Sequence, residues 1–303
     1  MKPAEINLAS YKTIAIGNID GTGGKEVEGL LTQELNNCGR FEVVDRAHTG
    51  NILHEQNLNM TDSFDSQSGA KLGKMMGSSA LIFGNITRHN YDQKSKTNES
   101  TCYNANKQKY TCYTYYIDGI WNLNTQFKVV DTSTGKILAT KAIKSDANKS
   151  VSEEGKRPSI DWDRDTVFEG LYKKTVDDFM RMIAPYRVIE SVTIFEDGSL
   201  PDLENGRKFA ERGDWNLAVE RFKSACNTAD SNPEIKPKWR ARAHYNLGIA
   251  LGYSGMDYKQ ALDELQKAQN FYPGDDECIN AIGKINEFQA DERKLKEQGA
   301  SLN

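Results

Sequence analysis

The chain has 303 residues, of which 38% are hydrophobic and 27% charged, and its net charge is -4. That length predicts about two domains. The weakly acidic balance excludes the broad electrostatic pull toward nucleic acid or anionic lipid that a basic chain exerts. No run of about 18 apolar residues occurs, which excludes a transmembrane helix, and "MKPAEINLAS" lacks the apolar core of a signal peptide.

In chain order, "YKTIAIGNI" reads as a buried strand. A helix follows from about Lys25, with Val27, Leu30, Leu31 and Leu35 at helical spacing and Gly39 placed as its C′ residue. "FEVVDR" is a second strand. Residues 46–57 read as a helix, and Asp65 or Ser66 can cap another running to Met76. "SSALIFGNIT" is a strong strand.

Residues 88–116 are polar and rich in Asn, Lys and Tyr, with no helical period. They read as an excursion, a hairpin with a mobile tip. Within it, Cys102 and Cys112 either pair as a disulfide, which implies an oxidising compartment, or are two unrelated surface thiols. Tyr103, Tyr110, Tyr113, Tyr115 and Tyr116 are either a contact surface or the cross-strand packing of a ribbon. "GIWNLNTQFKVVDTSTGKILATKAI" reads as a long hairpin with "DTSTG" as its turn. Trp121, Leu123, Thr125, Phe127 and Val129 share one face, and Ile137, Ala139 and Lys141 recur at the same period on the return strand.

A second polar excursion covers residues 144–160. The helix after it puts Phe168, Leu171, Tyr172, Val176, Phe179 and Ile183 on one side and closes at Pro185. "YRVIESVTIFEDG" reads as a final strand, and "DGSLPD" as a linker. The expected architecture is an α/β (α+β) domain over residues 1–198, with a mixed sheet flanked by helices, and an all-α domain over 199–303.

Residues 201–288 contain two helix-turn-helix units about forty residues apart, which resemble the tetratricopeptide (TPR) repeat. Gly206, Phe209, Gly213, Ala218, Phe222 and Ala225 match the first repeat's pattern. Leu247, Gly248, Leu251, Gly255, Ala261, Leu265, Ala268 and Pro273 match the second, with one residue inserted in its turn. Residues 276–295 are expected to form a capping helix. The first helix of each unit then offers a protein-binding surface: Asn205, Lys208, Arg212, Asn246 and Tyr253.

"IAIGNIDGTGGKEVEGLL" imitates a phosphate loop and fails its tests. Glu26 follows Lys25 where Ser or Thr is required, and Ile19 stands where the motif has its first glycine. Glu26 and Glu28 also put negative charge where a phosphate would sit. "DWDRD" begins like a calcium loop, but Thr166 and Tyr172 occupy the positions of its obligatory Gly and Glu. None of the four histidines (His48, His54, His89, His244) lies in a metalloprotease-type motif, and the cysteines form no CxxC pair. No catalytic, cofactor or metal residue is nominated.

Three segments resemble the CsgG family of cell-envelope proteins: the first strand and helix running into "GRFEVVDR", then "GSSALIFGNIT", then the "VVDTSTGKIL" hairpin. "RVIESVTIFEDG" is similar to that family's closing segment. The resemblance implies an α/β periplasmic domain and an outer-membrane-associated setting, reached through an N-terminal lipid anchor on a segment outside this sequence. The expected role is non-catalytic: a lipoprotein that mediates protein–protein interaction or assembly, as a secretion, assembly or regulatory accessory factor. Its expected partner is an envelope or periplasmic protein or peptide, or a homo-oligomer of itself, with no nucleic acid and no cofactor. Tyr113 and Tyr115 join the candidate contact residues. Two alternatives stand beside this reading: a subunit of a CsgG-type secretion channel, and a nucleotide-binding protein or enzyme using the Gly21–Lys25 loop.

Overall fold

The computed structural model describes residues 1–44, 79–255 and 257–300. The helices expected over 46–57 and up to Met76 lie outside the described residues. The chain divides into two compact units: Ala4–Pro185, and Tyr186–Asn303 together with Met1–Pro3.

In the first unit β1 (Thr13–Asp20), β2 (Glu42–Val44), β3 (Ala80–Tyr103), β4 (Lys109–Asp131) and β5 (Ile137–Glu154) form one sheet in the order β2-β1-β3-β4-β5. β1 pairs in parallel with β2 and β3, and β3, β4 and β5 pair antiparallel, so the sheet is mixed. Helices α1 (Gly24–Cys38) and α2 (Arg164–Ile183) share one core with a face of this sheet. Val27, Leu31 and Leu35 from α1 meet Phe168, Leu171, Val176 and Phe179 from α2 there. The Phe127 and Phe179 rings stack at 4.3 Å between centroids, and Trp121 lies between Tyr91 and Trp162. The other face carries a small cluster of Ala15, Leu81, Phe83 and Val130.

Three bulges set which residues face this core. β1 shifts against β3 between Ile16 and Ile19, so Ile14 and Ile16 face the core before it and Ile19 faces it afterwards. β3 shifts register between Ile86 and Arg88, so Ile82 and Ile86 face the core before Thr87, and His89 and Tyr91 face it afterwards. β4 and β5 shift between Val129 and Val130, so Ala139 faces Val129 while Ile137 pairs with Val130. The expected alternation through Ile137 therefore fails. Ile137 is exposed, and Leu138 and Ala139 both pack on the core.

The two polar excursions are strand. Residues 88–103 continue β3, 109–116 begin β4, and 144–154 continue β5. They project as a three-stranded arm in which most side chains meet water; Tyr91, Ala147 and Val151 still pack on the core at its base, but beyond them the period-two signal fades. The expected final strand at 186–198 does not form. That segment is extended, pairs among the described residues only by a bridge between Lys2 and Tyr186, and belongs to the helical unit.

The second unit holds α3 (Pro201–Glu211), α4 (Trp215–Ser231), α5 (Pro237–Ser254), α6 (Tyr258–Phe271) and α7 (Asp276–Glu297), with successive helices in contact. Small residues allow the close approaches. A Cβ on Gly206 would overlap the Phe222 ring, on Gly248 the Leu265 side chain, and on Gly252 the Ile285 side chain. Side chains of Asp214 and Asp257 cap α4 and α6, accepting from Leu217 N and Gln260 N.

Candidate functional site: a stapled arm and a helical groove

The glycine loop that opens α1 serves packing. Gly21 and Gly23 adopt φ of +96° and +84°, a region that L side chains avoid. A Cβ on Gly23 would overlap the Tyr172 ring, and one on Gly24 would overlap the Ile19 carbonyl. The Tyr172 hydroxyl hydrogen-bonds His89 Nε2 at 2.7 Å, and His89 stacks on Phe168 at 3.8 Å. Burial raises the Tyr172 pKa, with the nearby Glu26 and Asp165 charges adding to it. The loop thus abuts a tyrosine and a carboxylate, an arrangement hostile to a phosphate. In "DWDRD", Asp163 is the N-cap of α2, accepting from Thr166 N at 2.8 Å.

The arm is built by backbone pairing and closed at its tip. Asn104 Oδ1 accepts from the Asn106 and Gln108 amides, and Lys107 takes φ +59° in the turn. Just inside the tip, Cys102 and Cys112 form a disulfide. Register places Tyr103, Tyr113 and Tyr115 on the face that carries Trp121 further down, and Tyr110 and Tyr116 on the opposite face with the disulfide. Tyr103 and Tyr113 are 61% and 43% exposed, while Tyr115 is half-buried beside Thr97 and Glu153. The arm therefore has both cross-strand tyrosine packing and accessible aromatic surface.

In the helical unit the five residues expected to share one surface separate. Asn205, Lys208 and Arg212 are exposed on or just after α3, where Lys208 pairs with Glu204 at 2.6 Å. Asn246 is fully buried. Helix α5 is buried on every side from Ala241 to Gly252, and its remaining face is covered by the extended segment before α3. There the Phe195 amide donates to Asn246 Oδ1 at 3.1 Å, and Asn246 Nδ2 donates to the Phe195 carbonyl at 2.8 Å. Tyr253, two turns further along α5, is half-buried between Trp215 and Phe288. A cavity of about 590 Å³ opens beside it, lined by Trp215, Tyr258, Phe288 and Asp291 among others. Lys2 reaches its edge, held by Glu287 and, at 2.8 Å, by Asp291.

Sequence reasoning missed a buried polar cluster. His244 lies between Glu264 (Nδ1, 2.6 Å) and Asp230 (Nε2, 3.2 Å), with Lys267 2.8 Å from Glu264 and Cys226 beside them. Burial opposes protonation of His244, but its bonds to Glu264 and Asp230 outweigh burial and raise its pKa. Cys226, His244 and Glu264 are metal-ligating types within 4.8 Å of one another. Both ring nitrogens already have carboxylate partners, so the cluster is satisfied as a charged hydrogen-bond set. No sequence signal could have found it, because its members lie on three helices.

A family model described as "Curli production assembly/transport component CsgG" matches residues 4–156, half of the chain. Comparison with curated proteins finds no match. Among solved structures, the LpoB C-terminal domain from Salmonella enterica is similar at 13% identity, over 44% of this chain and 81% of that one, with TM-score 0.29. A lipoprotein from Neisseria meningitidis is similar at 14% identity, over 56% and 97%, also with TM-score 0.29. The PelC dodecamer from Paraburkholderia phytofirmans is similar at 12% identity, over 61% and 97%, again with TM-score 0.29.

Proposed function

The chain belongs to the CsgG family, and on that premise we propose that it is a non-catalytic cell-envelope protein that mediates protein–protein interaction or assembly. The family match over residues 4–156 carries this reading. The Cys102–Cys112 disulfide supports it, because such bonds persist in oxidising compartments such as the periplasm. No helix of the described residues is long and apolar enough to cross a membrane. Outer-membrane attachment through an N-terminal lipid, and homo-oligomerisation, complete the proposal.

The second domain is proposed to be a TPR-like array over residues 199–303, with α3–α4 and α5–α6 as the two repeats and α7 as the cap. The small-against-large contacts at Gly206–Phe222 and Gly248–Leu265 support that assignment. The arm's exposed tyrosines and the exposed face of α3 are the surfaces proposed for partners.

The channel alternative has less support. A barrel strand needs one continuous apolar face, yet one face of β3 in the arm carries Asp92, Lys94 and Lys96 and the other Gln93 and Glu99. The nucleotide alternative is weakened by Tyr172 and Glu26 at the Gly21–Lys25 loop.

Photo-crosslinking tests the proposal. With a photoreactive amino acid at position 113 or 208 of the full chain in intact cells, at least one site is expected to give an adduct with an envelope protein or a second copy. Adducts absent from both positions, or formed only with cytosolic proteins, overturn it.

A further inference from the structure

The extended segment before α3 lies against the helical unit as a bound peptide would. Among the described residues it has no ladder partners beyond the Lys2–Tyr186 bridge, and its backbone is held at Phe195 by the two-way clamp from Asn246. The Phe195 ring sits under the Arg242 guanidinium at 3.5 Å and against Tyr245 at 5.2 Å. Arg242 is itself fixed by Asp275 at 2.7 Å. Val192 and Ile194 pack on the helical core, whereas Ile189 is fully exposed. The ends are anchored by charge: Glu190 pairs with Lys284 at 2.7 Å, and Glu196 with Arg207. A cavity of about 250 Å³ remains between the middle of the segment and α5 and α7.

Tyr245, Asn246, Ile249 and Tyr253 follow Arg242 by three, four, seven and eleven residues, so the five form one stripe of α5. An amide side chain that satisfies both backbone groups of one residue reads main chain rather than sequence. The aromatic slot and the two basic anchors then read side chains.

We propose that this stripe is a peptide-binding groove and that residues 190–196, "ESVTIFE", are its internal ligand. The external partner is an extended segment of the same chemistry: an aromatic residue for the Arg242–Tyr245 slot, β-branched residues before it, and a carboxylate at each end. The partner gains the groove by replacing the internal segment. This rests on the reading of the helical unit as a partner-binding module and adds what it binds and what holds it closed.

The test uses the full chain and a fluorescein-labelled peptide of residues 190–198, with a scrambled peptide of the same composition as control, read by fluorescence anisotropy. Phe195→Ala removes the internal anchor and is expected to bind the peptide at least tenfold more tightly than the unmodified chain. Adding Asn246→Ala to Phe195→Ala is expected to cancel that gain. Glu190→Ala with Glu196→Ala leaves the Phe195 ring in place and is expected to give a smaller gain of the same sign. It replaces Phe195→Ala if circular dichroism shows that variant unfolded. No gain in the folded variants, or equal binding of the scrambled peptide, overturns the proposal. Crosslinking from position 113 does not involve the groove, so its success alongside failure here rejects the internal ligand and leaves the envelope role standing.

Discussion

In the sheet unit, the strand residues that fill the core beside α1 and α2 keep a period of two only between bulges. In the helical unit the core residues come from neighbouring helices at helical spacing, except along α5, which is buried all round from Ala241 to Gly252. The difference teaches where packing information resides. A helix displays its buried face within a dozen residues, and the glycines at 206, 248 and 252 mark where a neighbour comes close. A strand displays its face only relative to a partner. One extra residue, Thr87 in β3 or Leu138 in β5, moves everything beyond it to the other side.

The comparison breaks hardest at Trp121. It is fully buried among Tyr91 and Trp162, and its indole N–H is buried without a partner among the described residues. Trp121→Ala is expected to cost about 3–5 kcal/mol in urea unfolding followed by tryptophan fluorescence. Trp121→Phe is expected to cost much less, since it keeps most of the ring and removes the orphan donor.

The arm sharpens the comparison, because past Tyr91, Ala147 and Val151 its strands leave the core. Replacing Cys102 and Cys112 together by Ser removes the staple, at a cost of up to about 2–3 kcal/mol for a loop of this length. Amide exchange is expected to accelerate over residues 94–116 and stay unchanged in α1 and α2. Uniform acceleration would show that the arm is part of the cooperative core.

A smaller effect is expected at the β4–β5 turn. The Asp131 carboxylate accepts from Ser133 N at 2.7 Å, Ser133 Oγ at 2.6 Å, Thr134 N at 3.1 Å and the Tyr11 hydroxyl at 3.2 Å. These bonds, led by the Ser133 hydroxyl, hold its pKa down to about 2. Asp131→Ala is expected to cost about 1 kcal/mol at neutral pH in the same urea assay. Because the folded pKa is depressed, this contribution is present above about 3.8 and disappears as pH falls through about 2.

The mildest expected effect is a slope. His244 has a folded pKa raised above 6.5, so its contribution is complete below 6.5 and lost as pH rises through the raised value. For Glu264 burial acts upward, but hydrogen bonds from His244 and Lys267 leave its pKa below 4.5, so its contribution is lost as pH falls through that lowered value. Urea midpoints read at the helical circular-dichroism band are expected to plateau between pH 4.5 and 6.5 and decline on either side. His244→Gln is expected to flatten the alkaline limb, and an unchanged limb would assign the slope to other groups.

Much of the fold was legible in the residues. The β1–α1 unit, the α1 C-cap at Gly39, the buried face from Trp121 to Val129 and the apolar stripe of α2 all follow from local pattern. The arm was legible only as polar chain. Where its outer part has water on both faces, alternation has little energetic meaning, and strand pairing there is carried by backbone groups common to all sequences. Of the candidate contact residues, Asn205, Lys208, Arg212 and Tyr113 are exposed, and Asn246 is not. Its burial follows from a tertiary event: "YRVIESVTIFEDG", apolar enough to read as a sheet strand, covers the last open face of α5 instead.

By itself, then, the sequence determined the helices α1 to α7, the inner strands, the family and the weak case for phosphate at the glycine loop, because propensity, spacing and motif chemistry act within a few residues. The tertiary structure alone decided which strand residues face the core past each bulge, which polar side chains meet at His244, and what lies in the groove of α5. Those outcomes depend on register and on which surfaces remain uncovered once the helices have packed, and neither quantity exists until distant segments meet.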